Sequence, residues 1–375
     1  MSHITNPLHL SYSPSHLDGG IAFAVSDLLH SQQKSGMFAR WLTADKYQSW
    51  NRDRNLLNSI KSSQANIIHS HGLWRSHTRI TLQLTQINLP VMIAPHGMLD
   101  SWAITHSFWK KKVALALWEK QALESANCLQ ALCLEEAFSI KNVCPRAKVA
   151  LIPNGVNLPP EDSEFSCLKL QWKNDIPAGQ KILLFLGRFH HKKGLEPLMA
   201  AWISVVEEAK KKGWWLVLIG YGDDGKFVSQ LTTFPIENCK AYGPVFGDDK
   251  EAVFHYATAF ILPSFSEGLP MAALEAMSHY NPCLLSRACN IPSAFTCGAA
   301  LKAEPDPLQL SIALRKLFSL SEHQHKQMSL ASYNLVKDRF SWEKVTSLCT
   351  EVYLWMLDRS RPMPTAFNWT KDLSN

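Results

Sequence analysis

Two carboxylates eight residues apart, Glu267 and Glu275, lie in the stretch Ser264–Met277, and their neighbours decide what they can do. The apolar run at 259–262 ahead of them reads as a buried strand. Pro263, Ser264 and Ser266 break it. Glu267 and Gly268 form a turn, and Pro270 opens a helix, where its missing N–H costs nothing. Met271, Leu274 and Met277 recur at helical spacing as a buried stripe, which puts Glu275 on another side. Free backbone N–H groups at a helix start bind phosphate. Carboxylates accept hydrogen bonds from sugar hydroxyls. A ligand that carries both phosphate and sugar, a nucleotide sugar, fits the combination.

Arg188 to Lys193 form a basic turn bounded by Gly187 and Gly194, between a buried strand at 181–186 and a helix at 195–210. Near the N-terminus, a strand at 8–12 runs into a loop ending in Asp18, Gly19 and Gly20, then into a helix at 21–33. Strand, glycine-rich turn and helix let a backbone approach a ligand closely. His71-Gly72 ends a strand that starts at 66, and Pro95-His96-Gly97 ends one that starts at 90. Polar residues at the carboxyl ends of parallel strands are where open α/β sheets bind ligands. His69 and His71 are taken to face opposite ways, which leaves His71 as the one facing a cleft. His71, His96 and His77 or His106 lack the His/carboxylate spacing of a zinc site, so no metal is expected.

The elements that position these groups alternate. The first half reads as strands at 8–12, 39–42, 66–74, 90–98, 127–134 and 148–152 with helices between them. The helix at 107–125 starts with Lys110, Lys111 and Lys112 beside Phe108 and Trp109. Basic and aromatic residues at one end suit an anionic membrane surface; a solvated lysine cluster on a sheet-packed helix is the other reading. A polar, Pro-rich segment follows Pro159. The second half restarts with strands at 181–186, 214–219, 239–245, 259–262 and 283–286 and helices near 307–319 and 322–337. Such alternation predicts α/β folding as two doubly wound parallel sheets facing a central cleft. The expected division is an N-terminal domain at 1–160, a linker at 161–177, a second domain at 178–338 and a terminal helix within 339–375.

With 375 residues, two domains are the natural prior, and a composition that is 46% hydrophobic and 19% charged supplies both cores. Residues 1–160 hold 15 Lys and Arg against 9 Asp and Glu, which accounts for the whole net charge of +6. A basic half beside a neutral half suits an anionic partner on one side, or is a solvated basic face; no nucleic-acid partner is expected. The 9 cysteines include no C-x-x-C pair, which predicts a reducing compartment. The start lacks a secretory pattern, and no apolar run reaches the roughly 18 residues of a spanning helix. The expectation is a cytoplasmic protein, soluble or peripheral at the inner membrane face.

In order and spacing, Gly187-Arg188, Lys193-Gly194, Pro263-Ser264, Glu267-Gly268 and Glu275-Ala276 resemble the retaining GT-B glycosyltransferases of family GT4. The mark of that family is a Glu-x7-Glu motif, here Glu267 to Glu275. Gly19-Gly20, His71-Gly72 with Trp74, Pro95 to Met98 and Ile152 to Val156 match as well, and the resemblance covers about residues 6–350.

The resemblance implies roles. Arg188 and Lys193 would bind the donor diphosphate and stabilise charge on the leaving group. Glu267 would contact the donor sugar, the backbone of Gly268 and Leu269 the phosphate and sugar, and Glu275 the ribose. Val245 would stand where the base edge is read by backbone. Gly19 and Gly20 would let the N-terminal loop close over the diphosphate. His96 would serve the reacting sugar, and His71 the acceptor side. The family's last helix crosses back to the first domain. The implied reaction moves a hexosyl group from a nucleotide-diphosphate sugar to a glycan or lipid-linked acceptor, with retention and in cell-surface polysaccharide synthesis. The metal-binding Asp-x-Asp of the other large transferase class is absent, and Asp223-Asp224 and Asp248-Asp249 are adjacent pairs in turns; metal-independent chemistry without a cofactor is expected. Tyr280 stands where a left-handed helix end prefers Gly or Asn, and Ser293 where the family has Glu; both bear on donor identity. A GT-B epimerase, a glycoside hydrolase or a non-catalytic nucleotide-sugar-binding protein are the competing readings.

Overall fold

The computed structural model describes residues 5–15, 20–100, 108–160, 170–222 and 225–369. The chain divides into two compact units, Met1–Gly155 with Trp342–Asn375, and Val156–Ser341. Each is a doubly wound α/β domain. In the first, β1 (Pro7–Ser11), β2 (Arg40–Thr43), β3 (Ile67–His71), β4 (Val91–Ala94), β5 (Cys128–Ala131) and β6 (Val149–Leu151) form one six-stranded sheet in the order β2-β1-β3-β4-β5-β6. In the second, β7 (Lys181–Arg188), β8 (Trp214–Tyr221), β9 (Cys239–Tyr242), β10 (Ala259–Leu262), β11 (Cys283–Leu285) and β12 (Ala300–Lys302) form another six-stranded sheet, ordered β12-β11-β10-β7-β8-β9. All ten strand pairings among the described residues are parallel.

Helices on both faces explain why central strands such as β4 and β10 are apolar and buried at every position. Strand order reverses between β1 and β3 in the first sheet and between β7 and β10 in the second. Those switch points are where doubly wound sheets open a crevice at their carboxyl ends.

The helix Trp342–Leu357 returns to the first unit. Its buried residues Val345, Cys349, Val352 and Met356 pack with Leu28, Ile67, Met92 and Cys128. Each fully buried aliphatic side chain of this kind contributes about 1.5–3 kcal/mol. A Cβ on Gly155 would overlap the Trp342 ring, so glycine is required where the helix docks.

Three expectations need correction. His69 and His71 share a face of β3, with ring centroids 4.0 Å apart, because side chains two residues apart in a strand point the same way. The described part of the expected linker, 170–177, belongs to the second unit's core, where Trp172 and Ile176 are buried. Asp248 and Asp249 lie in the first turn of the helix Gly247–Tyr256 rather than in a turn; Asp223 and Asp224 lie outside the described residues. The helix expected at 107–125 is observed from Phe108 to Ser125, with a π-helical turn at Leu115–Glu119.

Candidate functional site

In the second unit, β7 and β10 are neighbours, so the loops leaving their carboxyl ends meet. His191–Lys193 make one 3-10 turn after β7, and Gly194, at φ +68°, leads into the helix Leu195–Lys211. A Cβ on Gly194 would overlap the Pro263 carbonyl oxygen. The Phe265 N–H donates to the Lys192 carbonyl at 2.7 Å, which ties the two loops together. Lys193 Nζ thereby reaches Glu267 Oε1 at 2.6 Å, and the Ser264 hydroxyl donates to the same oxygen at 2.6 Å. The Lys193 and Glu267 side chains are 20% and 12% exposed, so the pair is largely withdrawn from water yet reachable. Arg188 is exposed at the end of β7 and has no acidic partner among the described residues.

Asn290, at φ 59°, shapes the Glu267-Gly268 turn. Its side-chain amide donates to the carbonyls of Glu267 and Gly268 at 2.8 and 2.9 Å. With those carbonyls turned to Asn290, the amides of Gly268 and Leu269 donate to no protein group among the described residues. The helix Met271–Ser278 follows and carries Glu275, whose Oε1 lies 2.6 Å from Lys250 Nζ. Lys250 belongs to the helix that follows Val245, and Val245 packs partly buried against the core. The loop after β9 is thus joined to Glu275. Tyr280 does adopt the left-handed conformation, at φ 62°, and its ring stacks on Tyr333 with centroids 4.2 Å apart. Stacking offsets a backbone cost of about 1–2 kcal/mol for a residue with a Cβ.

In the first unit, the turns after β3 and β4 carry the histidines. Trp74 and His96 hold positive φ, 71° and 54°. A buried carboxylate fixes each turn: Glu119 accepts the Trp74 N–H at 2.9 Å, and Glu136 accepts the N–H groups of Gly97 and Leu132 at 2.5 and 2.8 Å. Burial raises both acids to about 7, against the pull of these hydrogen bonds. The Leu73 N–H donates to Met98 Sδ at 3.1 Å and joins the two turns. His71 is buried and His96 partly exposed, with His71 Nδ1 and His96 Nε2 3.0 Å apart. Burial holds His96 down at about 4 and His71 well below its ordinary value, so both rings are neutral.

Of the expected site residues, Lys193, Glu267, Gly268 and Leu269 come together at the second switch point, with Glu275 one helix away. His71 and His96 touch in the first unit. Gly20 opens the helix Gly20–Lys34, with open space where a Cβ would stand, and Gly19 lies outside the described residues. The Lys110 side chain also lies outside them, while Lys112 Nζ is 5.7 Å from the Trp109 ring centre. Lys250, Asn290, Glu119 and Glu136 are additions. For Lys250, Glu119 and Glu136 the one sequence signal is a charged residue beside an apolar helical stripe, as at Glu136 next to Ala137 and Ile140; Asn290, in a left-handed turn, has no such signal.

Two family patterns match the chain: Glycosyltransferase Family 4 over residues 21–159, and Glycosyl transferases group 1 over residues 168–332. An uncharacterized glycosyltransferase of Methanocaldococcus jannaschii is 31% identical over 40% of this chain and 39% of that protein. The O-antigen chain mannosyltransferase B of Escherichia coli is 27% identical over 51% of this chain and 50% of that protein. The chain thus spans half or less of the length of these two curated relatives. Among solved structures, Anabaena HepE in complex with UDP and glucose superposes with a TM-score of 0.71 at 14% identity, over 93% of this chain and 99% of that one. With both units matched in sequence and the architecture matched in space, the chain belongs to the GT4-type glycosyltransferases of group 1 and has the GT-B fold.

Proposed function

We propose that this protein transfers a hexosyl group from a nucleotide-diphosphate sugar to a glycan or lipid-linked acceptor, with retention at the anomeric carbon, in the synthesis of a cell-surface polysaccharide or glycolipid. The observation that carries this reading is the convergence at the β7/β10 switch point. An ammonium, a carboxylate and two backbone amides with no acceptor among the described residues meet there, the Arg188 guanidinium stands exposed at the end of β7, and a second carboxylate lies one helix away. Diphosphate takes the cations and amides, and sugar hydroxyls take the carboxylates. The mannosyltransferase likeness and the UDP and glucose bound by HepE support the same class of substrates.

Arg188 and Lys193 hold the diphosphate and stabilise the charge that grows on the leaving phosphate oxygen; a preorganised donor of this kind contributes a factor of about 10²–10³. Glu267 contacts the donor sugar, Glu275 the ribose, and the Val245 backbone the base edge. Gly19 and Gly20 serve the loop over the diphosphate, His96 the reacting sugar and His71 the acceptor side. The acceptor hydroxyl attacks the anomeric carbon from the leaving group's side. The bond from that carbon to the phosphate oxygen breaks, the new glycosidic bond forms, and the hydroxyl proton passes to the departing oxygen. Arg188 and Lys193 supply the positive charge, so the reaction is proposed to need no metal or other cofactor. Activity unchanged by EDTA supports that, and strict dependence on added Mg²⁺ or Mn²⁺ contradicts it.

The acceptor side is proposed to work at the inner face of a membrane. Trp109, Val113 and Leu117 recur every fourth residue and are 74%, 54% and 68% exposed, beside Lys111 and Lys112. Exposed apolar residues flanked by lysines suit an anionic lipid surface. No helix among the described residues is long and apolar enough to cross a membrane.

Incubation with radiolabelled UDP- and GDP-sugars tests the main reading. Slow release of free sugar and nucleoside diphosphate is expected without acceptor, and label transfer with it. Conversion to an epimeric nucleotide sugar, or tight binding with no turnover, would replace the transferase reading with one of its alternatives.

A further inference from the structure

Seven side chains of the first unit form a single line of polar contacts, and its direction is fixed at one end. Gln130 on β5 donates its amide to the Ile152 carbonyl at 2.8 Å. A carbonyl only accepts, so this amide cannot be turned over, and Gln130 Oε1 is committed to the interior. Gln130 Oε1 and His69 Nε2 are both buried, and neither makes a hydrogen bond of ordinary geometry among the described residues, yet the Gln130 side chain acts on the His69 ring. An acceptor opposite that nitrogen places the imidazole hydrogen on His69 Nε2.

The rest follows by exhaustion of donors. His69 Nδ1 must accept the Tyr353 hydroxyl, 2.7 Å away. The Tyr353 oxygen then accepts from Gln32 Nε2 at 3.3 Å. That orients Gln32 Oε1 toward His9 Nε2 at 2.8 Å, so His9 is the Nε2–H form. Its Nδ1 accepts from His71 Nε2 at 2.9 Å, and His71 Nδ1 accepts from His96 Nε2 at 3.0 Å. Running the line the other way would set Gln130 Oε1 against a lone pair on His69, two buried acceptors with no hydrogen between them. Charging His9, His69 or His71 would set two hydrogens against each other, and charging His96 would put a hydrogen on the Nδ1 that has no partner in the line. Burial opposes that charge at His9, His69, His71 and His96 alike.

We propose that this line, anchored by Gln130, holds His96 as its Nε2–H tautomer and so presents an unprotonated Nδ1 as a hydrogen-bond acceptor at the carboxyl end of β4. Gln130, Gln32 and His9 are positioning residues, acting on His96 through the rings between them. His96 is partly exposed, and its Nδ1 has no partner among the described residues. A lone pair there receives a hydroxyl and repels a phosphate oxygen. The ligand group it selects is a sugar hydroxyl, and that last step rests on the transferase reading above. The tautomer does not, because neutral imidazole form is set by the protein alone.

The test reads the rings directly. Long-range ¹H–¹⁵N spectra of the full chain labelled with ¹⁵N-histidine, at pH 7 and without ligand, are assigned by single substitutions, His96→Asn among them. His9, His69, His71 and His96 are expected each to show a protonated Nε2 and a lone-pair Nδ1. In Gln130→Met the single-tautomer signal of His96 is expected to be lost to a mixture. A His96 ring with hydrogen on Nδ1, or a charged ring, overturns the proposal. So does an unchanged His96 signal in a folded Gln130→Met. Three ligand nitrogens of His9, His69 and His71 also lie within 4.8 Å of one another. Stoichiometric uptake of added Zn²⁺ with loss of these three signals would make the cluster a metal site and overturn the line as well. Failure to turn over any nucleotide sugar leaves the ring spectra unaffected, so the two readings fall separately.

Discussion

Acid should weaken this protein, and the buried groups of the first unit set the size of the effect. His9, His77 and His96 are held by burial at about 4, against an ordinary value of 6.5. Between those values the unfolded chain takes up protons that the folded chain refuses. The stability due to neutral rings is therefore complete above pH 6.5 and lost as pH falls toward 4, and each ring loses about 2 kcal/mol between pH 7 and 5. Glu119 and Glu136 act in the opposite sense. Burial raises them to about 7 from 4.5, so their contribution is complete below pH 4.5 and lost as pH rises through 7. Each returns about 2 kcal/mol over the same interval. Two acids offset two of the three rings, which leaves a net loss of about 2 kcal/mol. His69 and His71 push further in the same direction. The second unit tilts the same way, since His255, His325 and Glu251 are all held below their ordinary values. Urea unfolding followed by tryptophan fluorescence and circular dichroism is the assay. With a slope of about 1–3 kcal/mol/M, the midpoint at pH 5 should lie roughly 1 M below that at pH 7. Glu136→Gln removes one opposing acid, so its drop between the two pH values should be larger by about 2 kcal/mol. A midpoint at pH 5 equal to or above that at pH 7 would show that the histidines are not buried neutral.

Three further outcomes follow. Lys193→Ala and Glu275→Ala should each cut turnover by about 10²–10³-fold while circular dichroism stays unchanged; wild-type rates in both refute the site assignment. Gly194→Ala should lower stability by about 1–3 kcal/mol, because its Cβ meets the Pro263 carbonyl while its φ is left-handed; an unshifted melting temperature would show that the two loops are not locked. Replacing Lys110, Lys111 and Lys112 by Glu should weaken binding to phosphatidylserine vesicles in a sedimentation assay, at about 1 kcal/mol per lysine removed. Undiminished binding at low salt would leave the lysines as a solvated patch.

Much of the fold is legible because doubly wound sheets write themselves as short apolar runs between helices. The run at 259–262 has no polar residue, and strand β10 occupies Ala259–Leu262 as read. Pro307 likewise marks the first position of the helix Pro307–Phe318. Misreadings have equally local causes. His69 and His71 were separable only by a mistaken period, and the structure restores the period of two. Trp172 and Ile176 sit in a Pro- and Ser-rich neighbourhood that looks like a linker, yet burying two large apolar side chains outweighs that composition. The partners of the site were hidden by distance along the chain. Lys250 stands 25 residues from Glu275, and Glu136 39 residues from Gly97. Nothing local distinguishes these charges from solvated ones, because tertiary packing alone withdraws them from water. Gly194 was visible as a glycine, but the oxygen that forbids a larger residue belongs to a strand end some seventy positions away.

The ion pairs at the second switch point bear on how a donor would enter the proposed site. Glu267 and Glu275 each hold a lysine at 2.6 Å. These side chains are 12–27% exposed, a depth at which lost hydration offsets much of the attraction between the partners. Exchanging one partner for another of equal charge is therefore cheap, whereas leaving either charge alone is expensive. A diphosphate offers Lys193 a second anion, and a sugar offers Glu267 hydroxyl donors, so both groups are satisfied at once when the ligand carries both. A nucleoside diphosphate without sugar draws the lysine away and leaves Glu267 with only the Ser264 hydroxyl. On the proposed roles, the pair would thus favour the intact donor over its product by the difference between a carboxylate with sugar hydroxyls and one without. Glu267→Gln removes that difference, because an amide left with Ser264 alone carries no stranded charge. In the wild type the dissociation constant for the nucleotide sugar should lie well below that for the nucleoside diphosphate, and in Glu267→Gln the two should converge. Calorimetric titration of both ligands reads the ratio directly, and a ratio unchanged by the substitution would remove Glu267 from the sugar's side of the site.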